Sequence, residues 1–111
     1  MSEFSLGTLE ETILIILLMQ EESYGVEIAK VYEGHMKQSI SLPAIHIVLK
    51  RMEKKGLVRS SFGEPTPERG GKRKKIYRAT QTGYKVAHEI QERRTQMWSQ
   101  VPKASFNYGI S

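Results

Sequence analysis

The sequence contains no cysteine. Disulfide bonds, thiolate metal sites and cysteine nucleophiles are therefore excluded, and the composition is compatible with a reducing cytosol. The longest apolar run is the seven residues from Ile13 to Met19, whereas a membrane-spanning helix needs about 20. The run is preceded by Glu10 and Glu11 instead of a basic segment, so it does not resemble a signal peptide. We expect a cytoplasmic protein with no membrane partner.

Patterns typical of enzymes are also missing. His35, His46 and His88 do not have the spacing of metal ligands, and no Ser-His-Asp arrangement falls on a recognisable scaffold. The glycine pair at residues 70–71 does not lie between a strand and a helix, as it would in a phosphate-binding loop. We expect no catalytic residue, no metal and no cofactor.

The charge is unevenly distributed along the 111 residues. The net charge is +5, but residues 1–36 carry one lysine against seven glutamates, whereas residues 37–78 carry twelve Lys and Arg against three glutamates. Clustered cations are typical of a nucleic-acid-binding surface, because neutralised phosphates release condensed counterions. The alternative is an ordinary solvated face, but solubility alone would be served by interspersed charges.

The hydrophobic periodicity predicts a mainly α-helical fold with one small β-hairpin. A chain of this length forms one domain and gains buried area by dimerising. Ser41 is a good N-cap for the third helix, Pro43 suits its first turn and Gly56 suits its C-terminal cap. Thr8 and Glu11 have the spacing of a capping box. The predicted elements are helices over 7–20, 24–36, 41–56 and 81–99, and strands over 57–62 and 75–79.

The order of these elements is that of a winged helix-turn-helix. Two helices joined by a short turn, the second ending in glycine, form the helix-turn-helix. The basic hairpin that follows is the wing, which can reach the DNA backbone or minor groove beside the helix. We expect residues 1–80 to form this domain, 81–101 to form a C-terminal dimerisation helix and 102–111 to form a mobile tail.

Several motifs in this order resemble the PadR-like winged helix-turn-helix transcriptional regulators, in their short form with a single C-terminal helix. The matching segments are 24–28, which reads YGVEI, then Ile40-Ser41, 49–58 and 70–83. The sequence departs from the family at two positions, where a glycine is usual near Pro43 and a tyrosine is usual at His46. The resemblance implies a dimeric DNA-binding regulator, usually a repressor, that binds an inverted repeat and is often released by a small molecule.

The third helix provides the first group of candidate DNA-binding residues. Its core stripe is centred on Ile45, Leu49 and Met52, so the opposite face would enter the major groove. Residues near its start are suited to reading base edges, and Ala44 or Ile47 could contact a thymine methyl. Basic residues further along are suited to phosphates. The candidates are Ser41, Pro43, Ala44, His46, Ile47, Lys50, Arg51 and Lys54, with Lys55 at the end; His46 is equally consistent with a purely structural role.

The wing provides the second group of candidates. Glycines let a backbone approach phosphates closely, and the surrounding cations would neutralise them. Because neighbouring strand residues point to opposite sides, one of Ile76 and Tyr77 should pack inward while the other helps to present the basic edge. We expect Tyr77 to be structural rather than a DNA contact. The wing candidates are Arg69, Gly70, Lys72, Arg73, Lys74 and Lys75.

The fourth helix contains a seam of alternating four- and three-residue spacings that is typical of helix pairing. The seam begins at Gly83 and includes the predicted dimer residues Ala87, Ile90, Arg94, Met97 and Val101, with Trp98 beside them. Some family members bind planar hydrophobic compounds between their C-terminal helices. This resemblance implies an effector site at Trp98, Met97 and Arg94, with Phe4, Leu6 or Ile13 nearby; the alternative is that Trp98 only buries area between protomers.

Two other functions are compatible with a basic winged helix. The fold can act as a protein-interaction module whose basic surface binds an acidic partner. An RNA-binding protein is a third class, but the sequence lacks the exposed aromatic platform on which single-stranded bases stack. Double-stranded DNA and a second copy of the chain are the expected partners, with a small hydrophobic effector in addition.

Overall fold

A computed structural model of the chain describes residues 6–65 and 73–103. Four helices and a two-stranded antiparallel hairpin follow one another in the predicted order. Their bounds are α1 Thr8–Gln20, α2 Gly25–Met36, α3 Leu42–Lys54, β1 Val58–Pro65, β2 Arg73–Ala79 and α4 Gln81–Trp98. The predicted fold class, mainly α with a small hairpin, is confirmed.

Helix α1 lies at the centre of the fold. It packs against α2, α3, α4 and β2, which explains why its sequence is apolar on nearly every side. Ile13, Leu14 and Leu17 are completely buried. The predicted capping box is wrong, because the helix begins after Gly7, whose N–H donates to Glu10 Oε1 at 3.0 Å. Glu11 is instead buried in the first turn.

Helix α3 is bounded by the caps that the sequence predicts. Ser41 Oγ accepts a hydrogen bond from the Ala44 N–H at 3.2 Å, and Pro43 lies in the first turn. At the other end, Gly56 has a φ of 78°, and the N–H groups of Gly56 and Leu57 donate to the carbonyls of Glu53 and Met52. This is a Schellman cap.

The hairpin is longer than predicted, because β1 extends to Pro65 and β2 begins at Arg73. Val58 pairs with Ala79 and Phe62 with Lys75, after which the register shifts towards the Pro65–Arg73 pair. Ser23, between α1 and α2, adds a bridge to Tyr77: each residue's N–H donates to the other's carbonyl, at 2.9 and 2.7 Å. The wing is therefore anchored to the start of α2 as well as to α3.

Thr80 joins the hairpin to α4 and is the N-cap of that helix. Its Oγ1 accepts from the Gly83 N–H at 3.0 Å and donates to the Gly56 carbonyl at 2.7 Å. The first half of α4 then packs into the core through Gly83, Val86, Ala87 and Ile90, whereas all residues from 91 to 100 are exposed.

Candidate nucleic-acid interface

Helix α3 has two faces of opposite character. Ile45, Val48, Leu49 and Met52 are buried. On the other side Ile47 is 55% exposed, and this exposed face also contains Pro43, His46, Lys50, Arg51 and Lys54. Ser41 is exposed at the helix start, and Ala44 is half-buried. The face predicted to enter the major groove is thus open to solvent.

The cations on the exposed face of α3 have no ion pair among the described residues, whereas two other cations each pair with a glutamate. Lys55 Nζ lies 3.2 Å from Glu10 Oε2 on α1, and Arg78 Nη2 lies 2.5 Å from Glu22 Oε2 before α2. Within residues 6–65 and 73–103, no ion pair includes Lys50, Arg51 or Lys54. The glutamates of the N-terminal third therefore neutralise cations elsewhere and leave the outer face of α3 uncompensated.

Arg73 is folded back onto the wing itself. Its Nε donates to the Gly63 carbonyl at 3.0 Å and its Nη2 to the Phe62 carbonyl at 3.2 Å. The guanidinium also lies 5.5 Å from the centroid of the Phe62 ring. These contacts span the register shift in the hairpin. Arg73 thus holds the two strands together, a role that its basic character did not predict.

The two lysines that follow Arg73 lie above aromatic rings. Lys74 Nζ is 4.3 Å from the centroid of the Tyr24 ring, and Lys75 Nζ is 5.8 Å from that of Tyr77. Lys74 is half-buried, whereas Lys75 is exposed. Both distances are within the range of cation–π interactions.

Tyr77 is buried at the junction of the wing with α3, in agreement with the structural role expected for it. It is 4% exposed, and its ring centroid lies 6.3 Å from that of His46. Burial raises the pKa of the Tyr77 hydroxyl, and the carboxylate of Glu53 raises this pKa further.

The start of α2 contacts the same junction. A Cβ atom added at Gly25 would lie 3.1 Å from the His46 ring and 3.6 Å from Leu42 Cδ2. The absence of a side chain at Gly25 therefore allows the first turns of α2 and α3 to approach closely. Tyr24, Gly25, His46 and Lys74 come from three elements and meet at one edge of the wing.

The residues of the predicted pairing seam on α4 fall into two groups, one packed within the protomer and one near the end of the helix that is exposed. Ala87 and Ile90 are each only 8% exposed, because they pack into the core of their own protomer. Arg94 forms an ion pair with Glu11: Nη2 donates to Oε2 at 2.9 Å, and Nη1 lies 2.6 Å from Oε1. Ala87 and Ile90 thus pack within their own protomer, and Arg94 attaches α4 to α1 while its side chain stays 58% exposed. Their place in a dimer interface stays a prediction.

The end of α4 has the opposite character. Met97 is 71% exposed, Trp98 is 67% exposed and Val101 is half-buried. Arg93, Gln96, Met97 and Gln100 line a depression of about 380 Å³. Ile13 cannot line an effector site beside Trp98, because it is completely buried in the core. Leu6 is half-buried and packs against that core.

Part of the predicted site lies outside the described residues. This applies to Arg69, Gly70 and Lys72 in the wing, to Phe4, and to the predicted tail from residue 104 onward. Among the residues that are described, no group of histidine and glutamate side chains could hold a metal ion. No helix in the same part of the chain is long and apolar enough to cross a membrane.

Sequence reasoning missed the contacts of Tyr24, Gly25 and Arg73. Tyr24 and Lys74 are 50 positions apart, so no local periodicity relates them. The one available signal was the YGVEI segment at 24–28, which was recognised as a motif without a physical role.

Comparisons with solved structures agree with this architecture. A PadR-like transcriptional regulator from Bacillus cereus is 28% identical, with a TM-score of 0.69 over 84% of this chain and 86% of that one. A transcriptional regulator from Clostridium thermocellum is 25% identical, with a TM-score of 0.66 over 86% and 93%. A PadR-like transcription factor from Bacteroides fragilis, 20% identical, shares the fold with a TM-score of 0.73 over 84% and 85%.

No curated protein matches the sequence. The family described as "Transcriptional regulator PadR-like family" matches residues 13–89, which include α2, α3 and the whole wing. This family comprises DNA-binding transcriptional regulators and not enzymes. The chain therefore belongs to the PadR-like family of transcriptional regulators.

Proposed function

We propose that the protein is a cytoplasmic repressor that binds an inverted-repeat operator as a homodimer. Each protomer places α3 in a major groove and its wing beside that groove. Helix α3 has 13 residues and is about 20 Å long, and the major groove of about 12 Å is wide enough to admit a helix. Occupancy of the operator would block access to a promoter.

The observation that supports this proposal best is the exposed face of α3. Ile47 is an apolar side chain that is 55% exposed, and Lys50, Arg51 and Lys54, which follow it along α3, have no ion pair within the described residues. A contact between Ile47 and a thymine methyl would account for the exposed isoleucine, and contacts between the cations and phosphates would account for their clustering. A solvated surface would require neither the isoleucine nor the clustering.

The candidate residues divide by the chemistry that they offer to DNA. Pro43, Ala44, His46 and Ile47 lie in the first half of α3, where base edges are read in helix-turn-helix complexes. Contacts with the DNA sugar-phosphate backbone are assigned to Ser41, at the N-terminus of α3, and to Lys50, Arg51 and Lys54. In the wing, Lys74 and Lys75 are assigned to phosphates, together with Arg69, Gly70 and Lys72 from the segment between the two strands.

The test is footprinting of the DNA upstream of the protein's own gene, combined with a salt titration of binding. A regulator should protect two half-sites about one helical turn apart, and its affinity should fall as salt rises. Salt-independent binding to DNA, together with capture of an acidic protein through the same α3 face, would favour the interaction module instead.

Dimerisation and release complete the proposal. The exposed end of α4 offers Met97 and Trp98 for pairing, and two Trp98 side chains near a dimer axis would form a flat apolar slot. A planar hydrophobic effector in that slot, bordered by Arg94, would release the operator by shifting the spacing of the two α3 helices. Quenching of Trp98 fluorescence by planar compounds, together with loss of operator binding, is the expected result; quenching without any change in binding would contradict this part.

A further inference from the structure

We propose that Tyr24 is a positioning residue for DNA binding, and that it acts by holding the Lys74 ammonium group beside the recognition helix. The inference rests on the proposed function, because it takes a phosphate as the partner of Lys74. It assigns a role to the first residue of the YGVEI segment, to which the proposed DNA contacts give none.

The backbone of Tyr24 is held at the start of α2 by its own hydrogen bond and by those of its neighbour Ser23. Its N–H donates to Glu27 Oε1 at 3.3 Å, and Ser23 Oγ donates to the same oxygen at 3.1 Å. Ser23 is 2% exposed and is paired through its backbone with Tyr77 in the wing. The Tyr24 ring is therefore carried by residues that are anchored to both α2 and β2.

Lys74 lies over this ring at 4.3 Å from Nζ to the centroid. Lys74 is half-buried, whereas Lys75, the next residue of β2, is exposed. A half-buried lysine is unusual, because lysine side chains in folded proteins are mostly exposed. Lysine loses considerable rotamer entropy when it is held in one position. If the ring restricts Lys74 before DNA arrives, less of that entropy is lost on binding.

The place where Lys74 is held matches the rest of the interface. Gly25, the residue after Tyr24, lies against His46 of α3, and His46 lies beside Tyr77 of β2. The Tyr24 ring thus stands where the wing, α2 and α3 converge. A cation fixed there would contact the backbone of the strand next to the groove that α3 enters.

The experiment is a double-mutant cycle with Tyr24→Leu and Lys74→Ala, measured by fluorescence anisotropy on a mixed-sequence DNA duplex. Tyr24→Leu leaves the net charge unchanged, yet it should weaken binding about two- to fivefold, the range expected for a cation–π contact. The same substitution should have little effect in the Lys74→Ala protein. Tyr24→Phe, which keeps the ring, should bind like the wild type.

Salt titrations distinguish positioning from a general loss of structure. Lys74→Ala should reduce the slope of log affinity against log salt by about one, and Tyr24→Leu should reduce it in the same direction without removing a charge. Upfield-shifted Lys74 methylene protons in the free protein, lost in Tyr24→Leu, would report the stacking itself.

The outcomes separate this inference from the proposed function. Additive effects of the two substitutions, or an unchanged salt slope in Tyr24→Leu, would overturn the role of Tyr24 while leaving DNA binding intact. If Tyr24→Leu does not fold, two other measurements test the positioning role of Tyr24. Weakened DNA binding by Tyr24→Phe would overturn this role, and so would the absence of an upfield shift of the Lys74 methylene protons in the wild type. A wild-type protein without salt-dependent DNA binding would overturn the proposed function as well.

Discussion

Gly83 and Gly34 are both helical glycines, but their surroundings differ. A Cβ atom at Gly83 would collide with the carbonyl oxygen of Leu57 and would lie 3.3 Å from Leu14 Cδ1, whereas a Cβ atom at Gly34 would meet nothing within 4 Å. The contact at Gly83 is between α4 and the backbone at the start of the wing. Only glycine allows that approach.

Gly83→Ala is therefore expected to destabilise the protein by about 1–3 kcal/mol, because the rigid Leu57 backbone must move. Gly34→Ala is the matched control and should stabilise α2 by up to about 1 kcal/mol, since alanine is the better helix former. Chemical denaturation of both variants measures the two changes. A stability gain in Gly83→Ala would contradict the close approach.

The raised pKa of Tyr77 predicts a pH-dependent contribution to stability. Below the ordinary tyrosine pKa of about 10, the hydroxyl is protonated in both the folded and the unfolded states. As the pH rises above this value, the unfolded state ionises first, and stability is lost until the raised folded-state pKa is passed. The cause is the burial of Tyr77 and, secondarily, Glu53.

Tyr77→Phe should remove this contribution. The difference in unfolding free energy between wild type and variant should be constant below about pH 10 and should then shift in favour of the variant. Denaturation across alkaline pH measures it. Tyr84→Phe is the control, because Tyr84 is 55% exposed; equal alkaline behaviour of the two variants would contradict the assignment.

Among the elements, α3 follows most directly from the sequence. Its N-cap, its buried stripe and its glycine cap depend on residues within a few positions of one another. The predicted exposed face followed from the same periodicity. The prediction for the N-terminal cap of α1 was wrong because the helix begins one residue earlier, after Gly7, with Glu10 as the capping carboxylate. Glu11 is instead bound by Arg94, which is 83 positions away.

The exposed cations of α3 should govern the salt dependence of DNA binding. Lys50→Ala should weaken binding to all sequences alike and reduce the salt slope by about one. Lys85→Ala removes the same charge from an exposed position on α4 and serves as the control. Equal losses for the two variants in an anisotropy titration would indicate a nonspecific effect of net charge.

In the wing, we expect Arg73 to support DNA binding both by its charge and by holding the two strands of the hairpin together. Arg73→Lys keeps the charge but cannot reproduce the two bonds to the Gly63 and Phe62 carbonyls. It should speed amide hydrogen exchange in the part of the hairpin around Phe62 and Gly63 and weaken DNA binding, while the salt slope stays near the wild-type value. Unchanged exchange would show that these bonds do not hold the wing.

Over the whole molecule, opposite charges from distant segments bring the acidic and basic parts of the chain together. Glu10 with Lys55, Glu11 with Arg94 and Glu22 with Arg78 connect α1 and its following turn to α3, α4 and the wing. Exposed ion pairs contribute little stability, but Glu11 is buried, so losing Arg94 would leave an uncompensated carboxylate. Among the described residues, the cations that these pairs leave without a partner include Lys50, Arg51 and Lys54 on the α3 face.

The exposed end of α4 predicts a test of assembly. Trp98→Ser should weaken the proposed dimer about tenfold or more, as expected for a buried interface aromatic worth about 1.4 kcal/mol or more. Monomer folding should be unaffected, because Trp98 is 67% exposed. Sedimentation equilibrium measures the association, with Tyr84→Ser as an exposed aromatic control. An unchanged dimer would place the interface elsewhere.

The sequence by itself determined the element order, the caps of α3, its core stripe and the accumulation of cations after residue 36, because each of these depends on neighbouring residues. Only the tertiary structure decided which cations remain uncompensated, that Ala87 and Ile90 pack within their own protomer, and that Lys74 rests on Tyr24. These outcomes depend on which distant side chains packing brings within a few ångströms of one another. Local periodicity carries no information about such pairings.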